Sequence, residues 1–197
     1  MGGSAVGLSV DLSFAVTGAR VPRDHALALL EALACEAPGL AGNAALAVLG
    51  IRGASAGDLG LALGRHSRLL LRLPEALVET ALALVGKELE IAGARVMLGT
   101  AKTRPLAPHA TLYAHRVAAE GEDEAGFVRQ AARDLDALGV RSEFIVGKRT
   151  SVRGPAGAIA GYSLMLADLA PRPSLALQAA GIGAHRRLGF GIFVGHK

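Results

Sequence analysis

The chain has 197 residues, 51% of them hydrophobic, and a formal net charge of +4 at pH 7. This apolar content supplies a packed core and excludes a disordered chain. The single cysteine, Cys35, excludes an intrachain disulfide and a cysteine-based zinc site. Apolar runs stop well short of the about 18 residues that span a membrane, and no basic region precedes an apolar stretch at the start, so we expect a cytoplasmic protein without membrane contact.

Charge is unevenly distributed along the chain. Residues 1–84 carry 6 Lys or Arg against 7 Asp or Glu, a balance of −1, whereas residues 85–197 carry 15 against 10, a balance of +5. The second part has three basic windows without acids, at 91–119, 144–167 and 169–197. Such windows indicate a polyanionic partner; the ordinary solvated surface of a mildly basic protein is the alternative.

In the first half, apolar residues alternate from position 7 to 16, which predicts a half-buried strand. The next elements predicted are a helix at 23–36, a strand at 45–51, a hairpin of 59–63 with 68–73, a helix at 74–84 and a short extra hairpin of 88–91 with 95–98. The order is β-α-β-β-α-β.

The second half begins after a connector that contains Pro105 and Pro108. Its predicted elements are a strand at 110–119, a helix at 123–138, a strand at 142–146, a basic loop at 147–154, a strand at 156–166, a helix at 173–180 and a strand at 190–194. The same order therefore recurs. We predict an α+β fold of two tandem ferredoxin-like (RRM-like) units, with domains at 1–104 and 105–197.

A glycine-rich stretch precedes the last strand and reads GIGAHRRLGFG over residues 181–191. Its glycines and basic residues are Gly181, Gly183, Gly189, Gly191, His185, Arg186 and Arg187. Glycine lets the backbone take φ > 0 and approach a ligand closely, and arginine suits bidentate phosphate contacts. The spacing matches neither the dinucleotide fingerprint nor the Walker phosphate loop. A plain turn between a helix and the last strand is the alternative.

The glycine pattern resembles the C-terminal glycine-rich loop of the RAMP ribonucleases, and more specifically that of the endoribonucleases that cut precursor CRISPR RNA at its repeats. Residues 21–25 (VPRDH), 67–74 (SRLLLRLP) and 110–113 (ATLY) are also similar to that family, so the resemblance covers nearly the whole chain. It implies a cofactor-free enzyme that cuts repeat RNA once, on the 3′ side of a small stem. It also implies that the enzyme stays on the 3′ handle of the mature guide RNA as a subunit of a CRISPR effector complex.

His25 is the strongest catalytic candidate. In RNA cleavage by the 2′-hydroxyl, a base removes the hydroxyl proton, an acid protonates the leaving 5′-oxygen, and a cation stabilises the charged phosphorane. His25 falls in the first turn of the first predicted helix, where the helix N-terminus keeps the ring neutral, as a base requires. A helical wheel of about 100° per residue turns it outward from the stripe of 27, 30, 33 and 34. The resemblance also places a catalytic histidine in or near this helix; a surface histidine near a cap is the alternative.

The basic loop supplies the other catalytic candidates. Arg149 or Lys148 would be the transition-state cation, and Ser151 and Tyr113 would donate or orient a proton. A flexible basic hairpin that touches only phosphates is the alternative. The spacing of histidines and acids predicts no metal site.

For RNA binding, Arg129 and Arg133 lie four residues apart on one helix face, although salt bridges with local acids such as Asp136 would give the same spacing. The remaining expected RNA-binding residues are Arg153, Lys102 and Arg104. Two other functions stay open: an RNA-binding subunit of the same superfamily that does not cut, and a ferredoxin-like domain that binds a small molecule.

Overall fold

A computed structural model describes residues 8–196 of the chain. Gly7, the first residue of the first predicted strand, and Lys197, the last residue of a basic window, lie outside the described part. The chain forms two compact units, of which the first ends at Pro105 and the second begins at Leu106. Within residues 8–196, no helix has both the length and the apolar character that crossing a membrane requires.

The first unit contains a five-stranded and a three-stranded antiparallel sheet. Its strands and α-helices are β1 (Ser9–Thr17), β2 (Arg20–Val21), α1 (Ala26–Glu36), α2 (Pro38–Ala41), β3 (Ala47–Arg52), β4 (Ala54–Ser55), β5 (Leu61–Ala62), β6 (Arg68–Pro74), α3 (Val78–Leu82), β7 (Glu88–Ile91) and β8 (Ala94–Pro105). The larger sheet has the order β3-β6-β1-β8-β7, and the smaller one β2-β5-β4. The first four strands of the larger sheet have the ferredoxin-like order, to which β7 adds an edge.

The core of the first unit lies between this sheet and the helices. Val10, Leu12, Phe14 and Val16 of β1 are buried, as the alternating pattern predicts. On α1, the buried residues are Leu29, Ala32 and Leu33, which differ from most of the predicted stripe. The reason is that α1 is apolar on nearly all sides, so its sequence does not define one inward face.

The predicted hairpin of 59–63 with 68–73 is wrong. β5 pairs with β2 and β4, whereas β6 pairs with β1 and β3, so the two segments belong to different sheets. A turn separates them, in which the Ser67 amide donates to the Gly64 carbonyl at 2.9 Å and the Gly64 amide to Ser67 Oγ at 3.0 Å. The alternating pattern identifies a strand, but strand partners are chosen by long-range packing.

The second unit repeats the arrangement with one four-stranded antiparallel sheet. Its elements are β9 (Leu112–Ala118), α4 (Glu124–Ala137), β10 (Phe144–Gly154), β11 (Gly157–Leu166), α5 (Pro171–Ala180) and β12 (Phe193–Gly195), and the sheet order is β10-β11-β9-β12. Asp123 caps α4, where its Oδ1 accepts from the Gly126 amide at 2.6 Å. Both units therefore have ferredoxin-like topology, and the predicted fold class is confirmed.

The predicted basic loop at 147–154 is wrong, because these residues continue β10. Arg149 pairs with Tyr162 and Ser151 with Ala160 across the ladder to β11, and the register shifts between Val146 and Arg149. This irregularity contains Gly147, at which the predicted basic loop begins. The β-branched Thr150 and Val152 fit the pleated strand that follows.

A buried ion pair joins two neighbouring strands of the five-stranded sheet. Arg72 on β6 lies directly opposite Asp11 on β1, and its side chain is only 2% exposed. Its Nε and Nη2 donate to Asp11 Oδ1 and Oδ2 at 2.6 and 3.0 Å, a bidentate contact. Arginine is almost never this deeply buried without a charge partner, so we infer that Asp11 fixes this position.

We expect Asp11→Ala to lower the free energy of unfolding by about 2–3 kcal/mol, because it removes the carboxylate that balances a buried guanidinium. Urea denaturation of the purified protein measures this change. The control is Glu31→Ala, which removes an exposed carboxylate of α1 and should change the stability by no more than about 0.5 kcal/mol. Equal effects of the two substitutions would mean that the ion pair does not stabilise the sheet.

Candidate functional site

His25 precedes α1 as its N-terminal cap residue and is buried, with 8% of its surface exposed. Its Nε2 accepts a hydrogen bond from the Ile51 amide at 3.1 Å. Its Nδ1 lies 2.8 Å from the Pro22 carbonyl oxygen. Because Nε2 accepts, Nδ1 carries the proton and donates it to that carbonyl, so the ring is neutral and both of its nitrogens are engaged.

The expectation that His25 lies in the first helical turn and faces outward is wrong. His25 stands four residues before Leu29 and seven before Ala32, which are both buried. Residues at these spacings share one helix face, so His25 continues the inward face of α1. Its ring joins the turn before α1 to β3. The neutral ring agrees with a base, but its lone pair at Nε2 is occupied by Ile51.

In the second unit, α5 ends at Gly181, and the glycine-rich stretch then folds back on itself. Gly181, Gly183, Gly189 and Gly191 have φ values of +66, +69, +85 and +64°. A Cβ on Gly181 would collide with the Gly191 carbonyl oxygen, and one on Gly191 with the Ile182 carbonyl oxygen. At these two glycines, the close approach is therefore between two segments of the protein's own backbone, not between backbone and ligand.

The three basic side chains of this stretch differ in their surroundings. Arg186 is half-buried, and its Nη2 donates to the Ala179 carbonyl at 2.9 Å, so its charge lies at the C-terminal end of α5, where cations are favourable. His185, with left-handed φ and ψ of 65 and 33°, and Arg187 are both exposed. Leu188, which follows Arg187, is buried and so fixes the backbone next to these exposed side chains. His185 and Arg187 are thus accessible to a ligand, whereas Arg186 contacts the C-terminal end of α5.

Asp134 on α4 is a site residue that the sequence interpretation missed. Its carboxylate accepts a hydrogen bond from the Gly183 amide. Burial raises the pKa of Asp134 above its ordinary value of 3.8, and the negative charge of Glu120 adds to the rise, while Arg133 and the Gly183 hydrogen bond oppose it. The signal was present, because residue 134 falls in the apolar stripe that also contains the buried Phe127 and Ala131.

Asp134 faces a cleft of about 530 Å³ that is also lined by Glu120, Gly183 and His185. Two carboxylates in one cleft repel phosphate. The Gly183 amide, which the sequence analysis assigned to RNA binding, already has an acceptor in Asp134. Phosphate oxygens would therefore compete with Asp134 for this amide.

The other predicted binding residues are exposed on regular elements. On α4, Arg129 and Arg133 are exposed, and Arg133 contacts Glu120 at 3.3 Å, a surface pair of small energy. Also exposed are Lys102 and Arg104 on β8 and Lys148, Arg149, Ser151 and Arg153 on β10. The strands β10 and β12 form opposite edges of their sheet, about 14 Å apart at the usual strand spacing. The catalytic candidates on β10 thus lie at the edge opposite the strand that follows the glycine-rich stretch.

Tyr113, a candidate for orienting a proton, lies on β9 between two histidines. Its ring centroid is 5.0 Å from that of His115 in an edge-on contact and 5.6 Å from that of His196. Among residues 8–196, the side chains of His, Cys, Asp and Glu do not form a group of three that could hold a metal ion.

We expect Asp134→Asn to melt at a higher temperature than the wild type at pH 7. Because the pKa of Asp134 is raised in the folded protein, its protonated form favours folding at a pH below the ordinary pKa of 3.8. This contribution is lost as the pH rises through the folded-state pKa. The ionised carboxylate therefore destabilises the fold at neutral pH. Thermal melts from pH 3 to 8 measure the difference, which should vanish below about pH 4. A lower melting temperature of the variant at pH 7 would mean that the bond to Gly183 outweighs burial.

Comparison with known proteins identifies the family. The family Cas6, described as Cas6 Crispr, matches residues 10–197. The CRISPR-associated endonuclease Cas6 of Myxococcus xanthus (strain DK1622) is 40% identical over 186 residues, which are 94% of this chain and 80% of that protein.

Solved structures that resemble this one include the following two. A CRISPR associated protein Cas6 superposes with a TM-score of 0.65 at 12% identity over 96% of this chain and 99% of its own. Thermus thermophilus Cse3, bound to an RNA representing a pre-cleavage complex, gives 0.55 at 17% identity over 95% of this chain and 98% of its own. At these identities, the two matches show a common fold. Together with the family match over nearly the whole chain, they confirm the resemblance read from the sequence: the chain belongs to the Cas6 family.

Proposed function

We propose that the protein is an endoribonuclease that binds the repeat of precursor CRISPR RNA and cuts it into guide RNA. The observation that carries this proposal is the 40% identity, over 94% of this chain, to a protein named as a CRISPR-associated endonuclease. The RNA bound to the structural relative Cse3 supports RNA as the substrate. The excess of basic residues in 85–197 supports a polyanionic partner.

In the proposed reaction, the RNA supplies its own nucleophile. A base takes the proton of the 2′-hydroxyl, the 2′-oxygen attacks the adjacent phosphorus, and the bond from phosphorus to the 5′-oxygen breaks. An acid protonates the departing 5′-oxygen, so the products are a 2′,3′-cyclic phosphate and a 5′-hydroxyl. This route needs a cation near the phosphorane but no metal ion or cofactor from the protein.

His25 is the proposed base, and one of its two hydrogen bonds must be replaced when the substrate binds. The lone pair of Nε2 accepts from the Ile51 amide, so a substrate 2′-hydroxyl has to replace that amide as the donor. This exchange leaves the buried Ile51 amide without its acceptor, at a cost of about 1–3 kcal/mol, which the other contacts of the bound RNA have to offset. The Pro22 carbonyl, which accepts from Nδ1, would keep the tautomer in which Nε2 is the basic nitrogen.

The other groups have supporting roles in this proposal. Arg149 or Lys148 on β10 would stabilise the phosphorane, and Ser151 on the same strand would orient a proton; all three are exposed. His185 and Arg187 would bind the RNA backbone together with the exposed cations of α4, β8 and β10. After cleavage, the protein would stay on the 3′ handle of the guide RNA within a CRISPR effector complex.

A second candidate function is an RNA-binding subunit that does not cut. The burial of His25 and the engagement of both its ring nitrogens favour this candidate, because they are typical of a histidine that only holds two chain segments together. The two functions predict the same RNA binding and differ in the chemical fate of the RNA.

We expect His25→Ala and His25→Gln to slow single-turnover cleavage at least about 100-fold, since neither side chain can take the proton, while RNA affinity changes only a few fold. The assay uses the repeat RNA encoded nearest the gene, in EDTA, with a 2′-deoxy substitution at the cut site as a substrate control. Glutamine can still accept from the Ile51 amide, so His25→Gln should melt closer to the wild type than His25→Ala.

Cleavage by His25→Gln at the wild-type rate would remove His25 from the chemistry and leave it a structural role. Tight binding without any cut by the wild type would establish the second candidate function. Cleavage of the 2′-deoxy substrate would contradict the proposed nucleophile.

Arg186 and Arg187 form a matched pair of neighbouring arginines. We expect Arg187→Gln to weaken RNA binding and to reduce the slope of log affinity against log salt by about 0.7, which is one phosphate contact to single-stranded RNA. Arg186→Gln should lower the melting temperature, because it removes the contact with the Ala179 carbonyl. Filter binding from 50 to 300 mM salt and thermal melts check both. An unchanged slope for Arg187→Gln would exclude it from the interface.

A further inference from the structure

The first unit contains a surface cleft of about 730 Å³ that the sequence analysis did not assign. Three segments form it: residues 19–23 before α1, residues 58–59, and residues 92–95 at the turn between β7 and β8. The first segment brings two arginines to the lining and the third brings one. The charged side chains are those of Arg20, Arg23, Arg95 and Asp58. Three cations therefore face one acid in this cleft.

The three arginines are exposed but rise from fixed backbone positions. Arg20 lies on β2, opposite Ala62 of β5. Arg23 donates from Nη2 to Ser55 Oγ at 3.0 Å and to the Gly57 carbonyl at 3.3 Å. Side chains that start from anchored segments lose less entropy when they bind a ligand.

The other charged contacts of the cleft leave its positive character intact. Arg95, the second residue of the long strand β8, is 79% exposed and lies 3.8 Å from the Glu88 carboxylate. A long, exposed pair of this kind adds little energy, so the guanidinium of Arg95 keeps most of its field. At the opposite wall, Gly60 has a φ of +95°, and a Cβ there would collide with the Val21 carbonyl oxygen, so glycine lets the 57–60 turn pack against β2.

The lining combines these guanidinium groups with apolar side chains. Leu59 is 64% exposed beside them, and Pro22 is also in the wall. Guanidinium groups suit phosphate oxygens, and an exposed apolar side chain suits the face of a ribose or base in a chain that is only 4% aromatic. We propose that this cleft binds the phosphates of a single-stranded segment of the substrate RNA, an inference that rests on the proposed function.

The cleft lies next to the turn that holds His25, the candidate base. Pro22 lines the cleft, and its carbonyl oxygen accepts the Nδ1 proton of His25. An RNA strand held by Arg20 and Arg23 therefore passes the turn that fixes the His25 ring. The cleft would act on substrate binding and on the placement of the strand, not on the proton transfer itself.

The test compares two triple variants with the same change in charge. The cleft variant is Arg20→Gln, Arg23→Gln and Arg95→Gln. The control variant is Arg52→Gln, Arg141→Gln and Arg172→Gln, which removes three exposed arginines outside the cleft. For the repeat RNA, the slope of log affinity against log salt should fall by about 2 in the cleft variant, at about 0.7 per phosphate contact, and by clearly less in the control.

Single-turnover cleavage over a range of enzyme concentrations gives a second readout. The cleft variant should need a higher concentration for half-maximal rate and should reach a maximal rate within about threefold of the wild type, since loss of uniform binding leaves the chemical step unchanged. Because Arg23 also contacts Ser55 and Gly57, the double variant Arg20→Gln with Arg95→Gln replaces the triple one if that variant melts early.

Equal slopes for the cleft and control variants would overturn the cleft as a binding site, whether both fall or neither does. A fall confined to the cleft variant supports it. If the wild type itself binds the repeat RNA without salt dependence, the proposed function fails first, and this result is distinct from failure of the cleft.

Discussion

The imidazole of His25 connects the parts of the first unit on which its candidate chemistry depends. One nitrogen donates to the Pro22 carbonyl in the turn before α1, and the other accepts from the Ile51 amide on β3. These two bonds fix the turn that also carries Arg20 and Arg23 into the cleft. The catalytic and structural roles of this ring compete, because the nitrogen that accepts from β3 is the one that a substrate hydroxyl would need. Binding of RNA would then compete with a bond of the folded protein.

A backbone crossing organises the second unit in a similar way. The glycines at 181 and 191 let the chain after α5 pass against the chain before β12, where any side chain would collide with a carbonyl oxygen. The amide of Gly183 is bonded to Asp134, and Arg186 holds the end of α5. Much of the glycine-rich stretch therefore stabilises its own backbone conformation. His185 and Arg187 remain exposed.

The distribution of charge on the folded surface differs from its distribution along the sequence. Counting along the chain places the basic excess after residue 84. Folding gathers three arginines of the first unit, from positions far apart in sequence, around one cleft with a single acid. It also places two acids beside the glycine-rich stretch of the second, basic half. The field that a polyanion meets depends on these local groupings, since exposed charges more than about 10 Å apart are screened at ordinary salt concentrations.

Features that depend on a few neighbouring residues could be predicted from the amino-acid sequence. Alternation placed β1 and its inward residues, and Asp123 marked the start of α4. The repeated order of elements gave two ferredoxin-like units, and the glycine pattern and its companion stretches gave the family. Three features became apparent only in the folded protein: the inward orientation of His25, the placement of β5 and β6 in different sheets, and the continuation of β10 through 147–154. The physical reason is the range of the interactions. Periodicity and caps act over a few residues, whereas an all-round apolar helix has no preferred face, and a strand has no assigned partner, until distant segments pack against them.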